Sequence, residues 1–282
     1  MLLPSNIIGV LFAITSAAIW GGGDFSGGLA TRRSGQYQVL AASALSGMLL
    51  LLGCAALWGE SFPAWPGLIW PMLAGAAGAV GLACLYRALS MGHTASVAPA
   101  SAVIGAALPV AFSIFTIGLP SPLRLAGFVL AFAGIWLVSW PATAETSVSR
   151  EGFLLACAAG IGFGGFFILI AQGEPDKVFT PLVIARGVTF CVAFLMLRVT
   201  RQPFPSFTTN PIALLAGVLD AGGNVFFLLA RQFTRLDIAV VLSSLYPAST
   251  VILASLLLKE KATRAQWTGA ALCLLAIVCI TV

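Results

Sequence analysis

Three ionisable side chains stand inside stretches that are otherwise apolar. Asp24 follows Trp20-Gly21-Gly22-Gly23 late in the first run, Arg186 lies within the run around 178–199, and Asp220 sits halfway along the run around 211–232, with an amide, Asn224, one helical turn further on. In hydrocarbon a charged side chain at mid-depth costs about 2.5–3.5 kcal/mol on insertion scales. Each must therefore face protein or water, lose its charge, or hold a partner. Asp220 suits a protonatable coupling group or the ligand of an amine, and equally suits a structural bond to Asn224 at i+4. Arg186 suits a salt bridge to Asp220 or a bidentate grip on a carboxylate. Asp24 either lines a cavity mouth or marks the membrane interface and pairs with Arg32 or Arg87.

Around these stand aromatic and helix-breaking residues. Trp20, Tyr86, Phe163, Phe166, Phe167 and Tyr246 are candidates for a cavity wall. An aromatic in a membrane helix more commonly packs or faces lipid, but Trp20 adjoins a glycine run and Tyr246 precedes Pro247. Pro247 removes a helix hydrogen bond and frees a carbonyl. Ser243 and Ser244 are placed to satisfy that backbone or to face a ligand. Pro99 and Pro109 are expected to kink the fourth helix, and with Pro247 they form the hinge candidates.

Other chemistry lacks its residues. His93 is the single histidine and stands in a turn without a second ligand, so a metal site is not expected. The glycine runs lack a following Lys-Ser/Thr, so they hold no phosphate loop. The six cysteines lie in apolar runs without metal or CxxC spacing and read as small packing residues. Neither a catalytic cluster nor a cofactor motif is present, and an enzyme is not expected.

The composition dictates what must position these groups. Of 282 residues, 60% are hydrophobic and 8% charged, against about 25% charged in soluble domains. A bilayer can hide that much apolar surface. The net charge of +5 is scattered over short turns. It makes no basic patch with interleaved aromatics, so the expected partners are membrane lipid and a small solute, not nucleic acid. A spanning helix needs about 20 mostly apolar residues. Ten such segments fit, at 7–29, 37–58, 67–89, 95–117, 122–140, 152–172, 178–199, 211–232, 238–258 and 264–282. Tryptophans such as Trp58, Trp70, Trp140 and Trp267 fall near segment ends, as an interfacial belt requires. The N-terminus has no basic n-region and reads as the first span, not a signal peptide. The short turns hold no assembly module; a monomer suffices and a dimer stays open.

The chain also repeats itself. At a constant offset of 142, Leu73–Trp140 falls on Leu215–Val282 without a gap, and twelve of these 68 positions are identical, among them Gly75/Gly217, Gly81/Gly223, Ser101/Ser243 and Gly127/Gly269. Further upstream an offset of 143 places Gly9 on Gly152 and Gly21–Gly22 on Gly164–Gly165. Two halves, 1–141 and 150–282, joined by the polar segment 141–150, are the expected domains. Five spans per half is odd, so the second half enters the membrane from the opposite side. This is an all-α inverted-topology repeat, an architecture that lets one midplane cavity open to either side in turn. By the positive-inside rule, nine basic residues against four place both termini outside.

The pieces AAIWGGGDFSGGLATRR at 17–33, LYRALSMGHTASVAPASAVIGAALP at 85–109, GVLDAGGN at 217–224 and SSLYPASTVILASLLLKEKATRAQWTGAAL at 243–272 resemble the EamA-like branch of the drug/metabolite transporter (DMT) superfamily. The resemblance implies ten helices in two inverted five-helix halves. It implies ATP-independent transport of small metabolites or drugs, by a multi-pass protein of the bacterial inner membrane with cytoplasmic termini. The last point opposes the charge count. Where the family pattern repeats a charged turn with Glu260, the first-half turn IGLPSP carries no matching acid. The candidate substrate or coupling residues are Trp20, Asp24, Tyr86, Arg186, Asp220, Asn224, Ser243 and Tyr246.

Overall fold

The computed structural model describes residues 4–90, 94–140, 150–206, 208–259 and 262–281, apart from the side chains of Ser5, Tyr86, Leu89, Ser90 and 94–98. His93, Glu260 and the segment 141–149 joining the proposed halves lie outside the described residues, as does the side chain of Tyr86. Among the described residues there are helices and no strands: α1 (Ser5–Thr31), α2 (Gln36–Trp58), α3 (Ile69–Ser90), α4 (Thr94–Ile117), α5 (Pro122–Ser139), α6 (Arg150–Ile170), α7 (Phe179–Val199), α8 (Pro211–Phe233), α9 (Leu236–Ser243), α10 (Tyr246–Leu257) and α11 (Arg264–Thr281). Nine stretches among them, counting α9 and α10 as one, are long and apolar enough to cross a membrane; Ile69–Leu85 in α3 is a shorter apolar helix. The protein is an integral, multi-pass membrane protein.

One expected span is broken. The segment 238–258 is two helices, α9 and α10, separated at Ser244–Leu245. Pro247 stands in the first turn of α10, where its missing N–H costs nothing, but it cannot donate to the carbonyl of Ser243 four residues back. Pro99 and Pro109 act differently: α4 runs unbroken through both.

Small residues set the helix neighbours. A Cβ at Gly134 on α5 would stand 2.9 Å from the carbonyl oxygen of Gly269 on α11, and one at Gly127 would stand 3.0 Å from Cys279 Cβ. On the other side of the bundle, Gly162 of α6 abuts Gly81 of α3, and Gly47 of α2 abuts Gly217 of α8. Small residues allow backbones to approach closely where lipid supplies no hydrophobic drive for association. The major partnerships are α1 with α8, α3 with α6, α2 with α7 and α5 with α11.

Side-chain bonds to backbone lock the turns. The loop residue Glu60 accepts from the N–H groups of Val178 (3.0 Å), Phe179 (3.2 Å) and Thr180 (2.6 Å) and from the Thr180 hydroxyl (2.7 Å). α7 has no cap from its own N-cap residue, Val178. A carboxylate from a distant loop fills that role, matching the orphan N–H groups and the positive end of the helix dipole. Burial pushes the Glu60 carboxyl up, but its hydrogen bonds from Thr180, Val178 and Phe179 outweigh this and hold it below its ordinary 4.5. Arg235, just before α9, ion-pairs with the fully buried Asp237 at 2.9 Å and donates to the carbonyl of Gly118 in the α4–α5 turn at 2.8 Å. Neither Glu60 nor Asp237 stood out in the sequence.

The alternation of the helices puts the start of α1, Glu60, Gly118, the start of α7 and α9 at one end of the bundle, and α10 towards the other. All eight residues of α9 are buried, whereas α10 buries none. The two halves of the broken span thus differ: α9 is enclosed by its neighbours and α10 lies at the side of the bundle.

Replacing Glu60 with Ala strips α7 of its cap, and a loss of about 1–2 kcal/mol is expected, read as a lower unfolding temperature in detergent. A carboxyl lowered in the folded state stabilises above its unfolded value. The wild type's advantage over Glu60→Ala should therefore be complete above 4.5 and shrink as pH falls below it.

Candidate functional site

The site is built on the α1–α8 seam. The two helices run antiparallel: Ser16 Oγ donates to the Gly223 carbonyl (2.8 Å), Trp20 Nε1 to that of Asp220 (3.2 Å), and Asn210 Nδ2, beyond the start of α8, to that of Ala30 (2.9 Å). Gly223 lets the indole lie flat on α8; a Cβ there would fall 2.5 Å from Trp20 Nε1.

Asp220 has three polar neighbours and two separate roles for its atoms. Its carboxylate forms a salt bridge with the Arg186 guanidinium of α7. Its backbone carbonyl accepts from Asn224 Nδ2 at 2.7 Å as well as from Trp20. The expected side-chain bond between Asp220 and Asn224 is thus a bond to the Asp220 backbone, because the carboxylate is turned towards Arg186. The Arg186 side chain is 12% exposed and that of Asp220 41%, so the arginine is embedded and the acid opens onto free space.

Asp24 stands one turn beyond Trp20 on α1. At about 100° per residue it lies angularly between Gly21 and Gly23. A Cβ at Gly21 would meet the Tyr246 carbonyl oxygen of α10 at 2.9 Å, and one at Gly23 the Asp220 nitrogen of α8 at 3.3 Å. The Asp24 side chain therefore points between α8 and α10, and it is exposed there. The ion pair with Arg32 or Arg87 considered from the sequence is not formed, and Asp24 is without a hydrogen-bond partner among the described residues.

The wall beside it is aromatic. Trp20 packs against Phe167 (ring centroids 5.7 Å apart), Phe227 (6.1 Å) and, edge-on, Tyr246 (6.3 Å). Phe167 also contacts Phe227 at 5.0 Å and Phe166 at 5.7 Å. Four helices, α1, α6, α8 and α10, each contribute. Phe227 was missed in the sequence, where it is one apolar residue in an apolar run; its place in the wall, one turn beyond Gly223, needs the fold to be seen.

Ser243 does not face a cavity. It is fully buried and donates to the Ala13 carbonyl of α1 at 3.3 Å, tying the end of α9 to α1. A separate groove between α3 and α7, lined by Met72, Ile184, Val188, Cys191 and Leu195, is apolar and offers no polar group to a ligand.

Known proteins point the same way. Residues 150–282 match the model of the EamA-like transporter family, within the DMT superfamily. An uncharacterised protein of Haemophilus influenzae is 28% identical over 187 residues, covering 61% of this chain and 62% of that relative's length. A crystal structure aligns over 96% of this chain and 95% of its own with a TM-score of 0.78 at 17% identity, a likeness of fold.

Two outcomes test this geometry. Gly223→Ala should push the indole off α8 and cost about 1–3 kcal/mol by overpacking, seen as a lower unfolding temperature with a shifted tryptophan emission. Arg186→Gln strands Asp220 and should cost about 1–3 kcal/mol, less than a fully buried pair because Asp220 is 41% exposed. Adding Asp220→Asn should recover part of that loss in a double-mutant cycle.

Proposed function

We propose that the chain, whose residues 150–282 match the EamA-like transporter family, is a secondary transporter, not an enzyme, moving a small metabolite or drug-like solute by alternating access. The observation that carries this reading is one constellation. Asp24, Arg186 and Asp220 converge beside an aromatic wall inside the bundle, next to the break between the buried α9 and the lightly buried α10. Charged groups facing the interior of a membrane bundle mark substrate and ion pathways.

Matched contacts support two inverted halves, 1–141 and 150–282. Gly223 against Trp20 corresponds, at the offsets of the repeat, to Gly81 against Phe163. Gly21 against Thr250 corresponds to Gly164 against Leu108, and Gly127 against Ile280 to Gly269 against Val138. Glu60, at the start of α7, corresponds to Gln202, which lies against Gly35 at the start of α2. The halves interlock and do not sit side by side. Exchange of access then means bending at the α9–α10 break, with Pro247 as hinge, and in the corresponding α4 with Pro99 and Pro109. The chain works as an exporter in the bacterial inner membrane, and a monomer is adequate.

Proton coupling belongs to the Asp220–Arg186 pair. Protonating Asp220 would release Arg186 and free α7 from α8. The pair also favours a second reading, an uncoupled facilitator or exchanger of amino acids or related metabolites, because a closed Asp220–Arg186 bridge satisfies the acid without a transported proton. Flux in vesicles with and without an imposed pH gradient separates them. The coupled reading expects the gradient to speed transport and Asp220→Asn to abolish that response while leaving exchange. Gradient-independent flux, with Asp220→Asn fully active, leaves the facilitator.

A further inference from the structure

We propose that the solute is an organic amine, held as a cation by Asp24 beside the aromatic wall of Trp20 and Tyr246; this rests on the transporter reading and names the ligand chemistry of the same site. Three observations converge on it.

The first is charge. With Arg186 and Asp220 bound to one another, Asp24 is the acid of the constellation that has no cationic partner among the described residues. An anionic solute would have to displace Asp220 from Arg186 and then lie near an uncompensated carboxylate. A cation needs neither change. The second is direction. Gly21 and Gly23 bring α10 and α8 against α1 on either side of Asp24, so the carboxylate projects into the space between them and stays exposed beside the lightly buried α10. The third is the wall. Trp20 lies one turn below Asp24 on the same face, with Tyr246 edge-on to it and Phe167 beyond. Aromatic faces attract a desolvated cation through their quadrupole, tryptophan most strongly. The Trp20 indole is fixed for this by its bond to the Asp220 carbonyl.

The repeat sharpens the argument. At its offset Asp24 corresponds to Phe167, so one half supplies an acid where the other supplies a ring of the same wall. An asymmetric pocket of this kind fits a molecule with a cationic head and an apolar body.

The test uses full-length protein in detergent and three probes of one shape: phenethylamine, 2-phenylethanol and 3-phenylpropionate. Saturable binding is followed by tryptophan fluorescence and by thermal stabilisation. Phenethylamine should bind at least tenfold more tightly than the alcohol, and the acid more weakly still. Asp24→Asn, which keeps side-chain size, should lose tenfold or more of the amine affinity without changing the unfolding temperature of the empty protein by a comparable margin. Asp24→Glu should restore part of the affinity, and Trp20→Leu should weaken the amine more than the alcohol. Equal binding of amine and alcohol, tighter binding of the acid, amine affinity unchanged in Asp24→Asn, or failure of phenethylamine to bind would each overturn the proposal. Vesicle flux keeps the two readings apart. An amine bound through Asp24 but never moved defeats transport alone, whereas flux of a neutral or anionic solute indifferent to Asp24→Asn defeats the amine site alone.

Discussion

The hydrogen bonds that run from α1 side chains to α8 carbonyls hold everything else in place. Helix carbonyls in apolar surroundings already have partners, so a second donor from a neighbouring helix adds attraction without leaving any group stranded. Ser16 and Trp20 supply such donors to Gly223 and Asp220. The bonds need short interhelical distances, and Gly23 and Gly223 make those distances attainable. With the seam closed, Asp24 and Asp220 come to one level of the bundle on adjoining helices, one acid turned to Arg186 and the other to open space. A larger residue at Gly223 would remove the indole, the seam and the relation between the two acids together.

α9 and α10 are held by different physics. At the end where α1 begins, turns are joined by charge-assisted bonds: Glu60 to the first turn of α7, and Arg235 to Asp237 and to Gly118. These bonds are directional and leave few groups free to shift. Towards the other end α10 lies against α1 through Ser249 and Thr250 and buries none of its residues. The break at Ser244–Leu245 separates the rigid part from the lightly packed one, and it falls beside the aromatic wall.

Much of this was legible in the residue order, because the strongest signal in a membrane chain is the length of its apolar runs. The spans emerged within a few residues, and the ninth was marked for irregularity by Pro247. Arg186 and Asp220 were recognisable as partners because each is expensive alone. Long-range capping was not legible. Glu60 stands in a polar loop, GESFPAWPG, and nothing local says that its carboxylate reaches residues 178–180. Asp237 looked like an ordinary turn acid, and its complete burial depends on Arg235 and the α4–α5 turn closing over it. Phe227 was hidden for the opposite reason: a phenylalanine in an apolar run carries no information about which way it faces.

The interlocking of the helices has a consequence for how the chain is made. α1 leaves the ribosome well before its chief partner, α8; Ser16 and the carbonyl it binds are 207 residues apart. α3 waits in the same way for α6, and α2 for α7. Through most of synthesis the glycine-lined faces of the early helices have only lipid beside them, with Asp24 among those left unsheltered. Insertion of this protein is thus a long interval of incomplete contacts ended by the arrival of α8, and membrane components that shield polar faces during that interval would act on the nascent chain well before it has a site to bind anything.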